Sequence, residues 1–167
     1  LRRIRDAIEH SNGEPFRDRH FVWASRAPTP LLRDLAVAFY VTGRDGSPPG
    51  CAPVWSDLAV SICRDPGATS LARVEAAGGG TVERVRVSRP DADHVTISSS
   101  RGAAGTLVLA ETAYPGWRVQ VDGSTAKPLT VRGLLRGVEV PAGWRRATWT
   151  FTPPGYELGR IVTLLAI

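Results

Sequence analysis

Two carboxylates have the type and spacing that chemistry on a sugar would need. Glu111 and Asp122 flank the stretch Tyr-Pro-Gly-Trp and the short alternating strand after it. A pair of carboxylates is what glycoside hydrolysis requires. Asp122, however, precedes Gly123, and Asp-Gly is a preferred sequence for a two-residue hairpin turn. Glu111 is expected to accept hydrogen bonds from backbone amides of the corner, so the sequence predicts no catalytic residue.

A second polar cluster is Arg-Pro-Asp-Ala-Asp-His, in which Asp91, Asp93 and His94 have the side chains of metal ligands. Such a short polar run between strands is more typical of a turn, so no metal site is expected. The sequence has no Gly-x-Ser-x-Gly elbow, glycine-rich phosphate loop or His-Glu-x-x-His motif. No cofactor is expected either.

The composition favours short strands and many turns. The 167 residues include 17 Gly and 13 Pro, and 43% are hydrophobic. The net charge is +5, but the arginines are spread along the chain instead of clustering, which argues against a nucleic-acid partner. An anionic lipid or cell-wall polymer remains an alternative partner for this charge. The absence of Met and the first residue, Leu, are expected of an excised segment.

The sequence pattern of residues 1–80 predicts a small α+β subdomain. A helix is expected in residues 1–10 and a strand in residues 21–24, and Thr29 is placed to cap a helix whose first residue is proline. A strand and a hairpin follow. The glycine run in residues 76–80 predicts the subdomain boundary, because consecutive glycines do not favour a regular element.

The two cysteines lie on either side of the predicted hairpin. If the hairpin turns at Ser56-Asp57-Leu58, Cys51 lies directly opposite Cys63, at a distance that a disulfide can bridge. An oxidising compartment would favour the bond. Two unrelated thiols, one of them buried, are the alternative.

Residues 81–157 predict an antiparallel β-sandwich of jelly-roll-like type, because short alternating strands recur between Gly and Pro turns. The fold class is therefore mainly β, of the α+β kind. Residues 158–167 are apolar after Arg160 apart from Thr163 and are expected to begin a transmembrane helix, with a final core strand as the alternative.

The stretch Tyr114-Pro115-Gly116-Trp117 predicts a sharp reversal between two strands. Pro115 fixes φ and Gly116 permits a left-handed conformation. Tyr114 and Trp117 are expected to cover the end of the sandwich core. The alternative is that Tyr114, Trp117 and Trp144 contact a glycan through their rings.

These residues resemble the C-terminal extracytoplasmic region of YfhO-type bacterial membrane proteins. The family pattern combines Tyr-Pro-Gly-Trp, a strand ending in Asp-Gly, Gly-Val-x-Val-Pro-Ala-Gly, and Pro-Pro before an aliphatic residue and Gly. The matching residues are Glu111, Tyr114 to Trp117, Asp122-Gly123, Gly137 to Gly143, Pro153-Pro154 and Leu158-Gly159. The resemblance extends more loosely over most of residues 31–167, and Cys63-Arg64-Asp65 departs from the Tyr-Glu-Asn that is usual there.

The resemblance implies a polytopic membrane protein related in architecture to lipid-sugar-dependent glycosyltransferases. The chain would be its extracytoplasmic accessory domain, located at the cell membrane, with the membrane helices of the parent protein and a cell-envelope polymer as partners. The acidic residue for sugar transfer would lie on an earlier loop, outside this chain. A non-catalytic carbohydrate-binding or partner-docking sandwich is the alternative.

Overall fold

The protein forms two compact units, which consist of residues 1–71 and 72–167. The computed structural model describes residues 6–7, 9–10, 28–43, 46, 48–156, 159 and 163. A helix is expected in residues 1–10, and the described residues of this range, 6–7 and 9–10, have helical backbone. The strand expected in residues 21–24 lies outside the described residues.

Residues 28–71 of the first unit, as far as they are described, contain one short helix and one small sheet. The helix α1 (Pro30–Asp34) is capped by Thr29, whose side-chain oxygen accepts a hydrogen bond from the Leu32 N–H at 3.3 Å. This capping follows the sequence prediction. The strands β1 (Phe39–Gly43), β2 (Ala52–Ser56) and β3 (Val60–Arg64) pair antiparallel in the order β1-β3-β2.

The second unit consists of two five-stranded antiparallel sheets. The first sheet has the order β10-β9-β13-β7-β6, and the second has the order β11-β12-β8-β4-β5. The strand bounds are β4 (Ala72–Glu75), β5 (Thr81–Arg84), β6 (Arg86–Ser88), β7 (His94–Ser98), β8 (Gly105–Thr112), β9 (Trp117–Val121), β10 (Ser124–Ala126), β11 (Leu129–Val131), β12 (Leu135–Val140) and β13 (Arg146–Phe151).

Both sheets bury one face in a common apolar core, as a sandwich-like fold requires. Strand β9 alternates buried and exposed residues along its whole length, and Ala147 and Trp149 of β13 are fully buried. Strand β8 buries four consecutive residues, as its near-continuous apolar sequence predicts. The predicted class, mainly β with a small helical part, is therefore confirmed.

The division between the units lies ahead of the glycine run that was predicted to mark it. Strand β4 pairs with both β5 and β8, so it belongs to the second unit. Residues 76–80 form the turn between β4 and β5, where the Ala76 N–H donates to the Gly80 carbonyl at 3.1 Å. Gly79 and Gly80 have φ of 84° and 85°, so these glycines serve a tight turn instead of a linker.

No helix among the described residues is long and apolar enough to cross a membrane. The expected start of a spanning helix in residues 158–167 lies outside the described residues, apart from Gly159 and Thr163.

Candidate functional site

The Tyr-Pro-Gly-Trp corner joins β8 to β9 and needs a glycine at its third position. Gly116 has φ of 108°, which L side chains rarely adopt. A Cβ atom there would lie 2.6 Å from both a ring carbon of Phe151 and the Thr152 carbonyl oxygen. The Thr152 N–H donates to the Gly116 carbonyl at 2.9 Å. The corner is thus fixed against the end of β13 by close packing and a backbone hydrogen bond.

Three aromatic rings pack together at this end of the sandwich. The Trp117 and Phe151 ring centroids lie 5.1 Å apart, and Tyr114 meets both rings edge-on at 6.2 and 5.4 Å. Trp117 is only 9% exposed, whereas Tyr114 is 50% exposed. The Arg136 guanidinium lies 3.7 Å from the Trp117 ring centroid, a cation–π contact. Trp117 therefore serves the core, and Tyr114 keeps one accessible side.

Glu111 is engaged by arginines. Its carboxylate forms ion pairs with Arg89 and with the buried Arg136. The expectation that it accepts hydrogen bonds from backbone amides of the corner is corrected, because the described residues place two guanidinium groups there instead. A buried guanidinium is costly without a counter-charge. Glu111 therefore neutralises Arg136, which in turn stacks on Trp117.

Asp122 holds a turn and also ties two strands together. Asp122 and Gly123 have φ of 48° and 83°, and the flanking residues Val121 and Ser124 pair, so the two residues form a hairpin turn. The Asp122 carboxylate also accepts hydrogen bonds from the Arg145 and Arg146 N–H groups at 3.1 and 2.8 Å. Asp122 and Glu111 thus have separate structural partners.

Glu83 is a buried carboxylate that the sequence analysis did not single out. Its oxygens accept hydrogen bonds from the Ser99 hydroxyl and from the N–H groups of Ser100, Arg101 and Ala103, at 2.8 to 3.2 Å. Burial, the largest influence, raises its pKa, but the hydrogen bonds together outweigh burial and lower it. Glu83 therefore organises the loop between β7 and β8 as an anion.

Cys51 and Cys63 form a disulfide with a Cα–Cα distance of 5.6 Å. The predicted register is wrong, because Cys63 pairs with Pro53 instead of Cys51. The Asp57 carboxylate accepts hydrogen bonds from the Ala59 and Val60 N–H groups, which places the turn later, and a register shift lies in β2. Both cysteines pack in the small core of the first unit.

The first unit also uses its buried acid structurally. The Asp65 carboxylate accepts hydrogen bonds from Arg33 at 2.7 and 3.1 Å and from the Gly67 N–H at 2.8 Å. The hydrogen bond from Arg33 is the largest cause of a lowered Asp65 pKa. This pair joins α1 to the segment after β3.

The predicted polar turn before β7 is held by its own side chains. The Asp91 carboxylate contacts His94 Nδ1 at 2.8 Å and accepts a hydrogen bond from the Asp93 N–H at 2.9 Å. Within the described residues, no three His, Cys, Asp or Glu side chains are grouped as metal ligands.

A groove lined by both apolar and polar residues lies along β9 and the strands on either side of it. Its volume is about 530 Å³, and its lining includes Arg118, Gln120, Thr125, Thr148, Thr150 and Thr152. A second cavity, of about 400 Å³, shares Trp117, Arg118 and Thr152 with the groove and continues to Tyr156. The two cavities therefore adjoin around Arg118.

Of the three aromatic residues considered for glycan contact, Trp144 is excluded by its burial. It is 1% exposed, and its indole N–H donates to the Ala103 carbonyl at 2.9 Å. The sequence analysis missed Tyr156, which is 54% exposed and lines the second cavity. Its Pro-Pro-Gly-Tyr context marked a turn but gave no sign of a neighbouring cavity.

Comparisons with protein-family models, curated proteins and solved structures gave no match for this chain. The resemblance to YfhO-type proteins rests on the sequence motifs alone.

Proposed function

We propose that this chain is an extracytoplasmic accessory domain of a polytopic, YfhO-type membrane protein of glycosyltransferase type. The parent protein would act in glycosylation of cell-envelope polymers, and this domain would perform no chemistry itself. The observation that carries the proposal is that three parts of the motif converge. Glu111, the Tyr-Pro-Gly-Trp corner and the segment before Pro153 meet at one end of the sandwich.

That convergence supports the resemblance for a physical reason. The residues of these parts depend on one another for packing and charge. Gly116 is required by the atoms of Phe151 and Thr152, and Glu111 is required by the charge of Arg136. These parts of the motif thus form one packed corner, at the end of the domain from which the chain would continue into a membrane helix.

The disulfide supports the compartment in this proposal. Disulfides persist in oxidising surroundings and are rare in the cytosol. Cys51 and Cys63 bridge a hairpin and pack in a core that, among the described residues, is small, so the bond is expected to stabilise this part of the first unit. An extracytoplasmic location provides the conditions that this unit needs.

The engagement of the carboxylates supports an accessory role. General acids and nucleophiles need a side chain that can reach a substrate. Glu83, Glu111 and Asp122 are instead engaged by backbone N–H groups or arginines of the domain. A carbohydrate-binding module is the second candidate, favoured by the groove around Arg118 and by Tyr156 in the cavity that adjoins it.

The test is to read the parent gene on both sides of this segment and to fractionate its product. We expect several upstream runs of about 20 apolar residues and a continuation of the run after Arg160. The full-length product should then sediment with membranes, and external protease should cleave this segment in intact spheroplasts. A product without spanning segments, or a segment protected from external protease, would contradict the proposal.

A further inference from the structure

We infer that the outward face of the sheet β10-β9-β13-β7-β6 binds an extended anionic glycan in the groove around Arg118. This inference deepens the proposed function, because it names the polymer that the domain would contact. The ligand class is a polysaccharide or polyol chain that carries carboxylate or phosphate groups along its length.

The charge of this face carries the argument. Residues paired across antiparallel strands point to the same side of a sheet, so the register identifies every outward position. Arg118 pairs with Thr150, and Arg146 pairs with Ser98, which pairs with Arg86. The three arginines all stand at outward positions, and no aspartate or glutamate does.

Three acids border the face, and two of them, Asp91 and Asp122, are engaged, whereas Asp93 is exposed. Asp91 contacts His94, and Asp122 accepts hydrogen bonds from the backbone at the start of β13. Within the described residues, Arg118 has no carboxylate in ion-pair distance. The Arg118 guanidinium is therefore available to a ligand.

A row of hydroxyl and amide side chains lies beside Arg118 on the same face of the sheet. Thr125 pairs with Gln120, Gln120 with Thr148, and Thr148 with Thr96, so polar side chains from four neighbouring strands lie side by side. Neighbouring strands are about 4.8 Å apart, so these side chains form a row of closely spaced polar groups. Each hydroxyl can both donate and accept, as the hydroxyls of a glycan require.

The shape of the site fits a chain better than a single small molecule. The groove of about 530 Å³ adjoins the second cavity of about 400 Å³ at Arg118 and Thr152. The half-exposed Tyr156 ring in the second cavity offers an apolar surface on which one face of a sugar ring can pack. A linear polymer can occupy both cavities while its acidic groups pair with Arg118.

The experiment measures binding of the 167-residue chain to immobilised polymers at low ionic strength. The probes are polygalacturonate, a poly(glycerol phosphate) teichoic acid, neutral dextran and poly-L-glutamate. We expect binding to one or both acidic polyol or sugar polymers, at least tenfold weaker for Arg118→Gln. The matched control, Arg84→Gln, removes the same charge from an exposed residue of the other sheet and should change binding less than twofold.

The choice of polymers distinguishes carboxylate from phosphate as the group that is bound. The control variant distinguishes binding at Arg118 from nonspecific attraction by the protein's net charge. Preference for polygalacturonate or for the teichoic acid identifies carboxylate or phosphate as the group recognised. Equal weakening by Arg118→Gln and Arg84→Gln, equal binding of poly-L-glutamate, or binding of dextran alone would each overturn the inference. None of these results depends on whether the parent protein spans a membrane, so failure here leaves the proposed function intact.

Discussion

Replacing Glu83 by glutamine tests whether one buried carboxylate holds the loop between β7 and β8. In the native protein, one carboxylate oxygen accepts hydrogen bonds from Ser99, Ser100 and Arg101, and the other accepts one from the Ala103 N–H at 3.0 Å. A glutamine oxygen can keep the first group. Its NH₂ would then face the Ala103 N–H, and two donors would oppose each other.

The expected loss of stability follows from these contacts. A buried donor left without an acceptor costs about 1–3 kcal/mol, and weaker hydrogen bonds to a neutral oxygen add to this. We expect Glu83→Gln to lower the free energy of unfolding by about 3 kcal/mol. With an m value near 2 kcal/mol/M, the urea midpoint would fall by about 1.5 M.

The assay is urea unfolding followed by tryptophan fluorescence, since Trp144 and Trp149 are buried in the same unit. Glu139→Gln is the matched control, because Glu139 is exposed and its one described partner is the Thr106 hydroxyl at 2.9 Å. We expect this control to change stability by less than about 0.5 kcal/mol. Equal effects of the two substitutions would refute the role of Glu83.

The pH dependence gives an independent check on the charge of Glu83. Because its pKa is lowered from the ordinary value of 4.5, the ionised form stabilises the folded state above that pH. This contribution is lost as the pH falls through the lowered pKa. The difference in stability between wild type and Glu83→Gln should therefore shrink as the pH falls below about 4.5. A constant difference from pH 7 to pH 3 would show that charge is not the cause.

Further substitutions probe three features: the disulfide, the corner and the buried ion pair. The unfolded, unreduced protein should show no free thiol on titration, and replacing Cys51 and Cys63 by serine should cost about 3 kcal/mol in urea unfolding; two free thiols would contradict the bond. Gly116→Ala should cost about 3 kcal/mol, against about 1 kcal/mol for Gly123→Ala, because both have positive φ but only Gly116 lacks space for a Cβ; equal costs would refute the steric argument. Glu111→Gln leaves a buried arginine without its counter-charge and should lower the free energy of unfolding by about 3 kcal/mol. A loss no larger than that of Glu139→Gln, at an exposed glutamate, would contradict the pairing.

The strands of the second unit were predictable because buried and exposed residues alternate along each strand when only one face of the sheet packs on the core. Strand β9 shows this pattern without interruption, and its following Asp-Gly supplies the turn. The glycine run in residues 76–80 was ambiguous, since glycines favour tight turns and flexible joints for the same conformational reason. Only the pairing of β4 with β8, far along the chain, decides between them.

The site was less predictable, because its contacts join distant residues. The hydrogen bond between Glu83 and Ala103 spans 20 residues, and no local pattern marks Glu83 as buried. Likewise, the accessibility of Trp144 could not be judged from the sequence, where a tryptophan beside a turn suits a core and a binding surface equally. Local patterns fix which residues alternate, whereas tertiary packing fixes which of them remain accessible.

The alternation in β9 also separates stability from the inferred binding. Trp117, Val119 and Val121 point inward and are buried, whereas Arg118 and Gln120 point outward. A substitution of Arg118 removes neither a core contact nor an ion pair within the described residues. We therefore expect Arg118→Gln to unfold in urea within about 0.5 kcal/mol of the native protein while losing polymer binding. If Arg118→Gln instead unfolds much more easily, its effect on binding would reflect a damaged sheet, and the groove would have to be tested through Gln120 and Thr148.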